Sequence, residues 1–284
     1  MPLTELVAWF NREQRRQYGQ LVHTDTPLRT SGHEVTGVYA GFTLRSEFQA
    51  IFDSRTGHPV AFEALLRATT AQRTPVTPAS VFSVPSSAEE VIYLDRLCRT
   101  LHALNFLLQG GEQKAVLTLN VHPRHVAAVN TDHGQAFESV LSQCGLSPSG
   151  IVLELSSRAL HRPEHLIDAV ANYRQRGYQI ALDGVRQVPD ISHLQALQPD
   201  WVKFDPTISE LSHNKLRVLL DSAREGLNQP AKQVVLGLSP SPLNRSIVEL
   251  VQANMAAPAQ PRLHTRCLPD VPVDARVAGA IRYA

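Results

Sequence analysis

The segment Val60-Ala61-Phe62-Glu63-Ala64-Leu65-Leu66-Arg67 decides the fold. It is apolar at successive positions rather than alternate ones, so a strand built from it is buried on both faces. One carboxylate interrupts it. Burying an unpaired carboxylate is costly, so Glu63 has to meet a cation, a proton or a hydrogen-bond donor. The same pattern recurs along the chain. Leu117-Thr118-Leu119-Asn120, Ile151-Val152-Leu153-Glu154, Ile180-Ala181-Leu182-Asp183 and Trp201-Val202-Lys203-Phe204-Asp205 are all apolar runs with a polar group at or near the C-terminal end.

Outward from these runs, strands are expected at 48–52, 60–66, 115–121, 151–155, 178–182, 201–204, 233–238 and 262–268. Helical stretches separate them, near 88–108, 135–144, 163–176, 215–227 and 242–254. Eight strands alternating with helices predict an α/β protein of the (β/α)8 barrel class. A doubly wound open sheet is the alternative, but no glycine-rich phosphate loop follows any of the strands. In a barrel, the polar strand ends converge on one mouth, where barrel enzymes place their chemistry. Glu63, Asn120, Glu154 and Asp183 are hard oxygen donors suited to Mg²⁺ or Mn²⁺. Equally, they suit a salt-bridge ring closing the mouth, with Lys203 and Arg67 as its cations. Spacing alone leaves both readings standing.

The 284 residues are 43% hydrophobic and 19% charged, enough for a large core and too apolar for a disordered chain. With 27 basic against 26 acidic residues the net charge is +1. That balance gives no reason to expect a nucleic-acid or membrane surface held by bulk electrostatics. Cys98, Cys144 and Cys267 are odd in number and far apart, which suggests buried thiols rather than a disulfide framework. The start, Met1-Pro2-Leu3-Thr4-Glu5, lacks the basic and apolar regions of a signal peptide, and a cytoplasmic location is expected. Leu3, Leu6, Val7 and Phe10 fall on one helical face. That face either packs on the protein itself or docks a partner. Of the twelve histidines, His122, His125 and His133 cluster, and His161 and His165 are four apart, but no tight metal motif is completed.

The same strand-end residues carry a resemblance to the EAL domain, the fold of bacterial cyclic-di-GMP phosphodiesterases. Phe48-Gln49-Ala50-Ile51-Phe52-Asp53, then Thr56-Gly57, then Glu63-Ala64-Leu65-Leu66-Arg67 resembles the opening pattern of that family. Leu94-Asp95-Arg96, Leu119-Asn120-Val121, Leu153-Glu154-Leu155-Ser156, Ile180-Ala181-Leu182-Asp183 and Val202-Lys203-Phe204-Asp205 follow in order. The resemblance implies a barrel from residue 46 to 284 whose first strand runs antiparallel to the others, with residues 1–45 as a helix-and-loop extension. It implies metal ligation at Glu63, Asn120, Glu154 and Asp183, a catalytic lysine at Lys203, and contacts to the dinucleotide from Gln49, Leu66 and Arg67.

Departures from the pattern imply a degenerate member. Where the family has two adjacent aspartates, Asp183 is followed by Gly184. The glutamate that steadies the following loop is replaced by Ser157, and that loop reads Gln187-Val188-Pro189-Asp190-Ile191-Ser192. The late strand reads Val235-Leu236-Gly237-Leu238-Ser239, with both family glutamates gone, and no closing Gln-Gly motif is found in 262–269. Cleavage by this fold uses two metals, one to generate the nucleophile and both to hold charge. The resemblance with these losses therefore implies a catalytically inactive regulator acting by protein contact. A non-hydrolysing cyclic-di-GMP receptor and a weak phosphodiesterase are the alternatives. No cofactor is expected beyond weakly held Mg²⁺ or Mn²⁺.

Overall fold

A computed structural model describes residues 3–22, 24–31, 33–109, 115–129, 134–157, 163–186, 197–227, 230–236 and 248–252. Among these, one continuous sheet runs from β1 (Leu28–Thr30) and β2 (Val35–Tyr39) into β3 (Phe42–Asp53) and β4 (Pro59–Thr69), with β5 (Pro75–Val76) on the far edge. The central strands are β6 (Val116–Asn120), β7 (Ile151–Ser156), β8 (Gln179–Val185), β9 (Trp201–Phe204), β10 (Lys232–Leu236) and β11 (Leu250–Gln252). β4, β6, β7, β8, β9, β10 and β11 pair in parallel, in that order. β3 is antiparallel to both β4 and β11 and closes the ring. The expected eight-stranded barrel with an inverted first strand is the observed one.

The barrel interior is layered by the period of two that strands impose on their side chains. Ile51, Ala61, Val152, Ala181, Trp201, Val234 and Leu250 form an apolar plug across the lumen. Trp201, 1% exposed, fills the space left by Ala61 and Ala181. Two residues further on, toward the C-terminal ends of the parallel strands, the same faces carry Glu63, Glu154, Asp183, Lys203, Leu236 and Gln252. Gln49, two residues before Ile51 on the inverted β3, stands opposite Glu63. The polar groups picked out in sequence thus form one layer resting on an apolar floor.

Outside the barrel, α3 (Ala88–Leu108) is held at its start by a capping box between Ser87 and Glu90. It is buried along most of its length because it lies between two cores. One is the barrel's outer wall, which also covers α4 (Pro123–Ala128), α5 (Gln135–Gln143), α6 (Pro163–Gln175) and α7 (His213–Glu225). The other lies under α1 (Leu3–Tyr18), where Leu6, Val7 and Phe10 are 6%, 5% and 1% exposed against Leu28, Val35, Tyr39, Leu97 and Leu101. A short helix, α2 (Pro78–Phe82), follows β5.

The stripe Leu6, Val7, Phe10 therefore packs on the protein's own core, and the alternative of a partner-docking apolar stripe is corrected. The buried face extends into the run that reads as polar. The Asn11 side chain donates Nδ2–H to the Leu28 carbonyl and accepts the Leu28 N–H, both at 2.9 Å. That amide imitates a neighbouring strand and blunts the edge of β1.

The end of the barrel also differs from expectation. β11 closes the ring from within 242–254, the stretch read as a helix, while 262–268, read as the closing strand, lies outside the described residues. In sequence Ile247, Leu250 and Val251 fall at i, i+3 and i+4, as on a helix face. A run this short is ambiguous until tertiary pairing decides it, and here β10 on one side and β3 on the other supply the ladder. Among the described residues no helix is long and apolar enough to cross a membrane.

Candidate functional site

Lys203 organises the barrel mouth. Its side chain is 1% exposed, and its Nζ donates to Glu63 Oε2 at 2.7 Å and to both oxygens of Glu154 at 2.7 Å. Glu63 Oε1 accepts from Asn120 Nδ2 at 3.1 Å, and Oε2 accepts a second bond from Gln252 Nε2. Glu154 Oε1 also accepts the Thr118 hydroxyl. One cation and three neutral donors thus satisfy two buried carboxylates, as the cost of burying charge requires.

The electrostatics follow from this geometry. Burial works against the Glu63 carboxylate, but the Lys203 charge, with hydrogen bonds from Lys203, Gln252 and Asn120, holds its pKa below the usual range. Burial and the neighbouring Glu63 push Glu154 up to about 8, against the pull of Lys203. Asp183 is also raised, by burial first and then by Glu63, with Lys203 and the Gly184 N–H opposing. Lys203 is burdened by burial yet held charged by Glu154, Glu63 and Asp183. The mouth carries one firm ion pair, Lys203 with Glu63, and burial beside it makes Glu154 the more easily protonated of the two glutamates.

These residues do not fit a two-metal centre. Both oxygens of Glu63 and both of Glu154 already accept from protein donors, and a divalent cation between them would stand where the Lys203 ammonium stands. Next to Asp183, where a further ligand is needed, Gly184 has no side chain and adopts φ +75°. Its carbonyl accepts the Ser157 hydroxyl at 3.0 Å. Leu236 occupies the remaining place in the polar layer, level with Gln252. Among the described residues, no group of three or more His, Cys, Asp or Glu is disposed to hold a metal ion.

Of the two cations expected at the mouth, the structure places one among its carboxylates. Lys203 is that cation, whereas Arg67 turns outward to Glu47 on β3 and donates Nη1–H to the Leu66 carbonyl at 3.3 Å. Leu66 and Arg67 instead help to line a cavity of about 440 Å³ beside Glu63, together with Phe82, His102, Asn120 and His122. Gln49 faces Glu63 across the β3–β4 pair. The rebuilt loop 187–192, Gly237, Leu238 and Ser239 lie outside the described residues.

Sequence reasoning missed three contributors. Gln252 comes on β11, earlier than the range searched for a closing glutamine. Thr118 looks like an ordinary strand residue. Asp95, noticed only as part of a motif, is 2% exposed, accepts the His122 N–H at 2.9 Å and pairs with Arg99. It pins the loop after β6 and so sets where Asn120 sits. Arg99 and then His125 hold its pKa low against burial. The signal for Asp95 was Asp-x-x-x-Arg on an otherwise apolar helix, an i, i+4 pair that has to be buried. His122 stacks on Phe82 at 4.4 Å, and His125 lies against Asp95. His133 and His161 fall outside the described residues.

Comparison with known proteins places this geometry. The EAL domain family model matches residues 40–235. An uncharacterized protein of Azorhizobium caulinodans is 26% identical over 229 residues, 75% of this chain, and the chain spans only 30% of that protein's length. Among solved structures, the PaMucR phosphodiesterase in complex with c-di-GMP superposes with TM-score 0.63 at 16% identity, over 77% of this chain and 92% of that one. The FimX EAL domain from Pseudomonas aeruginosa, bound to c-di-GMP, gives 0.62 at 17% identity over 74% and 88%. The Bacillus subtilis YkuI protein, with substrate c-di-GMP and calcium, gives 0.58 at 20% identity over 74% and 54%. At these identities the likeness speaks to the fold.

Proposed function

The chain belongs to the EAL domain family, and from that membership we propose that it serves cyclic-di-GMP signalling as a regulator that has lost hydrolysis and acts by contact with another protein in the cytoplasm. The observation that supports this most is the loss of carboxylates from the mouth: Gly184 follows Asp183 where the family pattern has a second aspartate, and Leu236 stands where it has a glutamate. Lys203, 2.7 Å from Glu63 and from Glu154, is left as the cation that answers the remaining acids. No resident metal is needed to hold the site together, since the protein's own donors satisfy it. Residues 1–45 form an accessory layer on the barrel, and the protein-facing surface belongs to the chain's exterior rather than to the plugged mouth.

A second reading, a non-hydrolysing receptor for cyclic-di-GMP, is favoured by the cavity beside Glu63 and by the c-di-GMP bound to PaMucR and FimX. It requires Arg67 to leave Glu47 and turn to a phosphate, which a guanidinium can hold through two parallel bonds. Expression of Asp183→Asn in place of the parent chain tests the main reading. Regulatory output independent of the carboxylate is expected to persist, whereas an enzyme relying on that ligand would lose its output.

A further inference from the structure

The protein-contact reading needs a surface, and the following inference rests on that reading and gives it a place and a chemistry. The apolar face of α1 is consumed by the second core, but its outward face is basic. Arg12, Arg15 and Arg16 fall at i, i+3 and i+4, so three guanidinium groups share one exposed side. With Ala8, Asn11, Asp25 and Thr26 they line an open groove of about 490 Å³ between α1 and the turn that leads into β1. Arg29 reaches the same wall, its Nε donating to Thr26 Oγ1 at 3.3 Å.

The charges in the groove are unevenly matched. Arg15 pairs with Asp25 and Arg16 with Glu13, each at 2.7 Å. Asp25 is 90% exposed in its pair, and such pairs exchange readily because solvent screens them. Arg12 and Arg29 have no carboxylate within ion-pair distance among the described residues. The groove therefore holds one uncompensated guanidinium group, Arg12, and two that can change partners, with Arg29 next to its wall at Thr26.

We propose that this groove docks an acidic segment of a partner protein. Guanidinium forks match carboxylates bidentately. The spacing of Arg12, Arg15 and Arg16 along one helix side suits carboxylates repeated at three or four residues on a helix, or at every second residue on an extended chain. The floor at Ala8 and the arginine stems offer apolar contact to the segment's own stems. Asp25 in the wall, with Glu13 paired to Arg16 beside it, disfavours a polyphosphate, whose charge has one sign throughout, and suits a protein segment able to answer them with a cation.

The test uses the full chain and a short fluorescent peptide alternating Glu and Ala, followed by anisotropy at low and moderate salt. The peptide is expected to bind, to weaken as salt rises, and to bind roughly tenfold less tightly to Arg12→Ala/Arg16→Ala, whose melting is unchanged because both side chains are exposed. No binding, binding unaltered in the double variant, or tighter capture of a DNA duplex or of phosphatidylserine vesicles would overturn the proposal. Failure here leaves the absence of hydrolysis untouched, while detectable hydrolysis would defeat the regulatory reading whatever the peptide does.

Discussion

The Ser157 hydroxyl donates to the Gly184 carbonyl across 3.0 Å, joining the end of β7 to the end of β8. Both residues stand where the family pattern has a carboxylate. In place of two acids, the chain has a neutral hydrogen bond between the ends of β7 and β8. Arg186 reinforces it, its Nε donating to Asp205 at 2.9 Å beyond β9.

Ser157→Ala is expected to lower stability by about 1 kcal/mol, the usual net contribution of one hydrogen bond, read by urea denaturation. Gly184→Asp is expected to cost a similar amount, because φ +75° is a region that L side chains rarely adopt. An added Cβ itself has room, with Ser157 Oγ at 3.7 Å. A stabilising Gly184→Asp accompanied by Mn²⁺ binding would mean that the mouth retains a second cation position.

Lys203→Met leaves the buried Glu63 carboxylate without its cation and Glu154 without its main donor, and is expected to destabilise the fold by about 3–5 kcal/mol. Adding Glu63→Gln and Glu154→Gln to it should recover a large part, because no uncompensated charge is then left in the layer. Mn²⁺ is expected to raise the melting temperature of Lys203→Met but not of the parent chain, since removing the ammonium frees the oxygens it occupies. Equal Mn²⁺ stabilisation of both proteins would show that Lys203 is not in the cation's place.

The pH dependence follows from Glu154. Its folded pKa of about 8 lies above the ordinary 4.5, so between these values the folded state holds a proton that the unfolded state has released. Its contribution to stability is present below the ordinary value and is lost as pH rises toward 8, at a slope of up to about 1.4 kcal/mol per pH unit. Glu63 acts with the opposite sign, losing its contribution as pH falls below the ordinary carboxylate range. Unfolding free energies of the parent and of Glu154→Gln, measured from pH 5 to 9, should lie closest at low pH, where both side chains are neutral, and separate as pH rises and only the parent weakens. Parallel curves would show that Glu154 stays ionised throughout.

Asn11→Ala should remove about 1–3 kcal/mol, because the Leu28 N–H and carbonyl lose the amide that pairs them at the blunted edge. Arg12→Ala, one residue on, should fall within about 0.5 kcal/mol of the parent. Deleting residues 1–18 should lower the melting temperature sharply, since Leu6, Val7 and Phe10 are core. A deletion that melts like the parent would restore α1 to the role of a free docking arm.

Much of the fold was legible because buried parallel strands announce themselves as unbroken apolar runs, each ending in one polar residue. Glu63, Asn120, Glu154, Asp183 and Lys203 could be grouped before any coordinates, since each violated its own strand's pattern. Gln252 could not, because β11 has only three residues and takes its strand identity from β3 and β10. The role of Lys203 was half legible. Its charge and position were plain, but whether it stands beside a metal or in a metal's place depends on where its Nζ lies, and only tertiary structure gives that. Arg67 was assigned to the mouth because Glu47, two residues before Gln49, did not register as its partner across the β3–β4 pair.

The central claim is that this mouth does not cleave cyclic-di-GMP, and one measurement addresses it directly. The full chain is incubated with cyclic-di-GMP and Mg²⁺ or Mn²⁺ near pH 8, and the nucleotides are separated by chromatography. The account predicts that the dinucleotide is recovered intact after prolonged incubation, in the parent and in Glu63→Ala alike. Linear product that accumulates with the parent and disappears in Glu63→Ala would contradict it.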